Sequence, residues 1–100
     1  MMEETKVDKL IKEYFEYVKQ LNETELDYLN TYREYDKQEF DIITTYDFKA
    51  EYGKDNEKIR KGHIKQELHD LLLKKDALEL EIKQLQRYLK YLELAISYGD

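Results

Sequence analysis

The sequence predicts an all-α protein that folds as a long antiparallel helical hairpin of the coiled-coil type. Three observations lead to this prediction. The 100 residues include no proline, which is the strongest helix breaker. Charged residues make up 40% of the chain while 41% is hydrophobic, a balance typical of coiled coils rather than of disordered tails. Apolar residues also recur at alternating spacings of three and four, which is a helical period. The length predicts a single domain spanning residues 1–100.

The first predicted helix spans about residues 5–41. Thr5 is a suitable N-cap, and Asp8 lies where a negative charge suits the helix dipole. Starting from Val7, spacings of four and three predict an inward seam with one charged member, Glu25. The predicted seam comprises Val7, Ile11, Tyr14, Val18, Leu21, Glu25, Tyr28, Tyr32 and Tyr35.

Residues 42–55 are predicted to connect the two helices. The segment begins with β-branched and aromatic residues, and Gly53 near its end is expected to turn the chain. The pattern leaves open whether the segment contains a short helical turn or a strand.

The second predicted helix spans about residues 56–98, with Asp55 or Asn56 as its N-cap. Its seam keeps four-three spacing from Ile64 to Ile96, and Lys75 is its only member that is not apolar. Folding the chain near residue 50 would place Lys75 opposite Glu25. We expect association through the seam residues Leu71, Leu78, Ile82, Leu85, Leu89 and Leu92.

A second stripe, which we call the outward stripe, lies two residues off this seam, or about 200° around the helix. It consists of Leu73, Ala77, Leu80, Gln84, Arg87, Tyr91, Leu94 and Tyr98. One partner helix cannot cover both sides of a helix, and a helix that is apolar on two sides is normally buried between neighbours. We therefore expect a homodimer that forms a four-helix bundle. The alternative is that this stripe docks a different protein.

The residues that usually perform catalysis or bind metal are sparse. The chain has no cysteine, no Gly-rich phosphate loop and no nucleophile elbow. Its histidines, His63 and His69, are six residues apart and are expected at the surface. We expect no enzymatic activity, no metal and no cofactor. The N-terminal residues do not resemble a signal peptide, and no apolar run is long enough for a membrane span.

The negative charge is concentrated in the first helix. Residues 1–41 contain twelve acidic and six basic residues, whereas the net charge of the whole chain is −6. Tyrosines are interleaved with these acids, and tyrosine is common at protein interfaces. The sequence predicts an acidic, Tyr-rich surface that binds a basic protein, with the contact residues Glu34, Asp36, Glu39, Asp41, Tyr17, Tyr46 and Tyr52.

A small basic patch, Lys58, Arg60 and Lys61, follows the connection and is a possible phosphate contact. The negative net charge argues against direct nucleic-acid binding as the main role.

An Asn-Glu-x-x-Arg element, here Asn56, Glu57 and Arg60, opens the second long helix after an acidic first helix. In this arrangement the chain resembles small helical proteins of phage and prophage early regions, which include Gam-type host-nuclease inhibitors and small anti-CRISPR proteins. The resemblance implies an inhibitor of a host nucleic-acid-processing or defence enzyme, working in the host cytoplasm. The alternative is a structural coiled-coil adaptor without inhibitory activity.

Overall fold

The computed structural model describes residues 4–99. These residues are 90% helical and contain no strand, which confirms the all-α prediction. The helices are α1 (Lys6–Thr45), α2 (Phe48–Tyr52), α3 (Glu57–Glu67) and α4 (His69–Tyr98).

Helix α1 begins as the sequence predicts but ends later. The Thr5 hydroxyl accepts the Asp8 backbone N–H at 3.1 Å, and the Asp8 carboxylate accepts the Thr5 N–H at 3.2 Å. The helix continues past residue 41 to Thr45. The hydroxyls of Thr44 and Thr45 donate to carbonyls one turn back, to Phe40 at 2.9 Å and Asp41 at 2.6 Å respectively. Thr44 and Thr45 are thus accommodated at the end of the helix, because their hydroxyls bond to its own backbone.

The connection contains the short helical alternative rather than a strand. Asp47 caps α2 by accepting the Ala50 N–H at 3.0 Å. Gly53 follows in the left-handed region with φ 72°, a conformation that favours glycine, and it turns the chain as predicted. Of the two possible caps for α3, Asn56 is the one used, and its side chain accepts the Ile59 N–H at 3.0 Å.

The second long helix is interrupted at Leu68, which separates α3 from α4. This residue has φ −103° and ψ 22°, outside the helical region. Its N–H still donates to the Ile64 carbonyl at 2.8 Å, and its own carbonyl accepts the Leu72 N–H at 3.0 Å. The prediction of one unbroken helix over 56–98 is therefore corrected to two helices joined by a local distortion.

The chain forms two compact units. Among the described residues, the terminal unit comprises residues 4–27 and 78–99, and the central unit is Tyr28–Ala77. Within the terminal unit, Tyr14 bonds to Glu93 and Val7 lies beside Gly99. The two helices of this unit therefore run antiparallel.

The inward side of α1 differs from the predicted seam. Buried positions include Thr24 and Thr31, which are 6% and 5% exposed, while Glu25 and Tyr32 are exposed. Six residues of the predicted seam are half-buried in the structure: Val7, Tyr14, Val18, Leu21, Tyr28 and Tyr35. The observed and predicted seams have the same mean period, so the period alone cannot choose between them. Thr24 tolerates burial because its hydroxyl donates to the Gln20 carbonyl at 2.9 Å.

The seam of α4 is where the sequence places it. Leu85, Leu89 and Leu92 are buried, and Leu71, Leu78 and Ile82 are half-buried. Lys75 is half-buried, and its ammonium lies 5.7 Å from the centre of the Tyr32 ring. The prediction that Lys75 and Glu25 face each other requires both to be seam residues. Glu25 is exposed and lies outside the observed seam, so the structure does not support this pairing.

Candidate binding surfaces

The four acids expected to form one surface on α1 do not share a side of the helix. At about 100° per residue, Glu34 and Asp41 lie together, whereas Asp36 and Glu39 lie on the opposite side. Glu39 is half-buried and lines a cleft of about 420 Å³ with Arg60, among other residues of α3. The predicted set therefore divides into two pairs, and Glu39 faces cations of its own chain.

A longer acidic row does occupy one side of α1. Starting from Glu16, spacings of seven, four, seven and seven residues bring each member back to the same side of the helix. We call this row the acidic stripe. It consists of Glu16, Glu23, Asp27, Glu34 and Asp41, and every member is exposed. Among residues 4–99, neither Glu16 nor Glu23 takes part in an ion pair, although Lys19 lines a shallow pocket together with both of them.

Large apolar side chains border the acidic stripe. Phe15, Leu26 and Phe40 lie about a quarter turn away from it on α1. They are 64%, 58% and 66% exposed respectively. An exposed acidic row beside exposed aromatic rings offers both the charged and the apolar contacts that protein interfaces combine.

The three tyrosines expected to contact a partner are engaged within the chain. The Tyr17 ring packs on Tyr88 with 4.5 Å between centroids, and the Tyr46 ring packs on His63 at 4.1 Å. The Tyr52 hydroxyl bonds to the His63 Nδ1 at 2.7 Å, although the Tyr52 side chain remains 42% exposed. Tyr52 alone among the three keeps a large exposed surface.

His63 lies at the centre of an aromatic cluster rather than at the surface. It is 8% exposed and is packed against Tyr46, Phe48 and Tyr52. The cluster holds α2 against α3. Burial and a hydrogen bond to Glu51 raise the pKa of Tyr46 above its ordinary value. The sequence signal for this arrangement is the close run of aromatic residues from 46 to 52, which lies within the predicted connection.

Two tyrosine–carboxylate bonds tie α1 to α4 in the terminal unit. The Tyr88 hydroxyl donates to Glu13 at 2.7 Å, and the Tyr14 hydroxyl donates to Glu93 at 2.9 Å. The bond to Glu13, aided by burial, raises the pKa of Tyr88 to about 12. Sequence patterning missed these bonds because Glu13 and Glu93 lie beside the seam and resemble solvated charges.

The basic patch is largely neutralised by its own neighbours. Arg60 donates two hydrogen bonds to Asp55, at 2.6 and 3.0 Å, and Lys61 pairs with Glu57 at 2.9 Å. These bonds hold the pKa of Asp55 and of Glu57 below their ordinary values. Lys58 is exposed. A phosphate at this patch would have to compete with two carboxylates.

The outward stripe of α4 is exposed along its length, as the sequence predicts. Leu80, Tyr91 and Leu94 are each more than half exposed. The seam on the opposite side of α4, which includes Leu85, Leu89 and Leu92, is buried within the single chain. A second molecule would therefore meet the outward stripe rather than the seam.

Two kinds of feature, a metal site and a membrane-spanning helix, were not found among the described residues. Residues 4–99 contain no group of three His, Asp or Glu side chains placed to hold a metal ion. None of the described helices combines the length and apolar character needed to cross a membrane.

The chain matches no protein-family model, no curated protein and no solved structure.

Proposed function

We propose that this chain is a non-enzymatic protein-binding module that inhibits a host nucleic-acid-processing or defence enzyme. The outer surface of α1 docks on a basic surface of the target and occupies a place where nucleic acid would bind. The observation that carries the proposal is the acidic stripe together with its exposed apolar border, Phe15, Leu26 and Phe40. Because such an enzyme works in the cytoplasm of the host cell, we propose that the chain is located there too.

The mixed character of this surface favours a protein over a nucleic acid as partner. Nucleic-acid phosphates would be repelled by the carboxylates of the acidic stripe. A basic protein surface would be attracted to them, and the exposed phenylalanines would then enter apolar pockets of that protein.

The spacing of charge in the acidic stripe defines what it can imitate. From Glu16 to Asp41 the stripe places one carboxylate per about 9 Å of helix, given a rise of about 1.5 Å per residue. One strand of B-DNA carries one phosphate per about 3.4 Å. The stripe thus provides the sign of the DNA charge at less than half its density. We infer that apolar contacts supply part of the affinity, so that salt weakens binding without abolishing it.

The test compares two variants with equal changes of charge. Glu23→Gln with Glu34→Gln removes two charges from the acidic stripe, while Glu25→Gln with Asp36→Asn removes two from the opposite side of α1. Each tagged chain is used to capture proteins from a bacterial lysate at low and moderate salt, and the affinity for the recovered enzyme is then measured. We expect about tenfold weaker binding for the stripe variant and no change for the control, since two exposed ion pairs are lost. Equal binding by both variants would refute the proposal.

A structural coiled-coil adaptor is the second candidate function, and the exposed outward stripe of α4 favours it. In either function we propose that the chain forms a homodimer in a four-helix bundle, because that stripe is exposed on the single chain. An adaptor would bring subunits together without depending on the acidic stripe. Substitution of Glu23 and Glu34 would then leave its association intact, whereas polar substitution of the outward stripe would remove it.

A further inference from the structure

We infer that the outward stripe of α4 is a second coiled-coil seam, occupied by α4 of a second copy of this chain in antiparallel orientation. This inference rests on the proposed homodimer and specifies its contact. The stripe consists of Leu73, Ala77, Leu80, Gln84, Arg87, Tyr91, Leu94 and Tyr98, all exposed.

The stripe has the full regularity of a coiled-coil seam. Its spacing is four-three throughout, so that Leu73, Leu80 and Leu94 belong to one seven-residue series while Ala77 and Tyr91 belong to the other. It spans 25 residue steps of one unbroken helix, or about 38 Å. Six of its eight members are apolar or aromatic, which an exposed face that needed only to be solvated would not require and which suits the packing of a further helix.

The order of residues in the stripe identifies a second copy as the occupant. In an antiparallel pair that sets Gln84 beside Arg87 of the second copy, Leu80 lies beside Tyr91 of the second copy. Moving outward, Ala77 meets Leu94, and Leu73 meets Tyr98. Each layer therefore pairs an apolar residue with an apolar one, or the two polar residues with each other. The stripe is complementary to itself read backwards, as a two-fold symmetric contact requires.

Charge selects the antiparallel orientation. A parallel pair in register would place Arg87 against Arg87 of the second copy in one layer, and two like charges there would repel. In the antiparallel pair each guanidinium instead meets Gln84 of the other copy, whose amide oxygen can accept its N–H groups. The central polar layer also fixes the register, because a shift by one heptad would set it against apolar residues.

Cysteine cross-linking tests both orientation and register, because the native chain contains no cysteine. Leu80→Cys and Tyr91→Cys are prepared as separate variants, one of them tagged, and oxidised alone and as a mixture. We expect a disulfide between the two different variants in the mixture and none within either alone. Gln86→Cys, exposed on the same helix but outside the stripe, is the control and is expected to remain uncross-linked.

Sedimentation measures the assembly independently. We expect a mass about twice 12.3 kDa for the native chain. Leu80→Gln with Leu94→Gln should return it to the monomer mass with unchanged helicity by circular dichroism, because the inward seam is untouched.

The outcomes separate this inference from the proposed function. A dimer in which Leu80→Cys cross-links alone would overturn the antiparallel orientation. If the variant with Leu80→Gln and Leu94→Gln still forms a dimer, the outward stripe is not the dimer contact. Either result leaves the homodimer and the acidic binding surface standing. A native chain that stays monomeric at the highest concentration measured would overturn both the stripe contact and the homodimer, while affinity of the acidic stripe for its target is tested separately by capture.

Discussion

The terminal and central units are stabilised by different kinds of core. In the terminal unit the buried apolar residues are leucines of α4, Leu85, Leu89 and Leu92, and tyrosine–carboxylate bonds lie beside them. In the central unit the buried set centres on Phe48 and His63, which join a short helix to α3. A heptad seam between long helices is a periodic structure that the sequence displays. An aromatic cluster at a turn has no period and depends on how the chain folds back.

The largest expected effect tests the core of the central unit. Phe48 is 2% exposed and contacts both Tyr46 and His63. Phe48→Ala should lower the free energy of unfolding by about 3–5 kcal/mol, because a large buried ring is replaced by a cavity. The matched control is Phe40→Ala, whose ring is 66% exposed and should cost less than about 0.5 kcal/mol. Urea denaturation measures both, and similar losses would contradict the burial of Phe48.

The next effect tests the core of the terminal unit. Leu92 is 1% exposed, the lowest value among the buried leucines. Leu92→Ala should cost about 2–5 kcal/mol by removing buried methyl groups. Leu26→Ala, at a 58% exposed position, is the matched control and should cost less than about 0.5 kcal/mol. If the two variants unfold at the same denaturant concentration, the inward seam of α4 has been misplaced.

An intermediate effect distinguishes the two possible seams of α1. Thr24 is buried and Glu25 is exposed. Thr24→Lys should destabilise the chain by about 1–3 kcal/mol, because it forces an ammonium group into the seam or displaces neighbours. Glu25→Lys introduces the same side chain outside the seam and should be nearly neutral. The opposite ranking in thermal unfolding would restore the seam through Glu25.

The smallest effect concerns a single bond of the terminal unit. The pKa of Tyr88 is raised from its ordinary value near 10 to about 12, chiefly by its hydrogen bond to Glu13. A raised pKa favours the neutral phenol in the folded chain. The stabilising contribution is therefore complete below pH 10 and is lost as the pH rises through about 12.

Titration of ¹³C-labelled tyrosines by NMR measures this shift directly. Glu13→Gln should move the pKa of Tyr88 back toward its ordinary value, because the carboxylate charge is removed. Glu16→Gln removes an equal charge from the neighbouring turn, where no bond to Tyr88 exists, and should have little effect. A Tyr88 titration that is indifferent to Glu13→Gln would show that this bond does not form.

The helical class, the caps at Thr5 and Asn56 and the seam of α4 could be predicted because each depends on local sequence. Capping needs only neighbouring residues, and the α4 seam is nearly all leucine and isoleucine. The α1 seam was only partly predictable. Thr24 and Thr31 are buried where the four-three spacing selects the adjacent residues Glu25 and Tyr32. Hydrophobic patterning does not select a threonine, whose hydroxyl can be satisfied by its own helix, as that of Thr24 is.

The sequence predicts that the first helix carries an acidic surface, but it did not identify which acidic residues share one side of that helix. The excess of acid in the first helix is evident from composition, yet the expected set combined Glu34 and Asp41 with Asp36 and Glu39 from the opposite side. The helical angle between residues would have separated them. The burial of His63 was not predictable, because it depends on α2 folding back to place aromatic rings around it.

The most direct test of the proposed function is capture with two substituted chains in parallel. One carries Glu23→Gln with Glu34→Gln in the acidic stripe, and the other carries Leu80→Gln with Leu94→Gln in the outward stripe of α4. We predict that the first binds a basic nucleic-acid enzyme about tenfold more weakly than the native chain does, whereas the second binds it with unchanged affinity. If the first binds that enzyme with unchanged affinity and the second binds it more weakly, the acidic stripe is not the surface through which this chain acts.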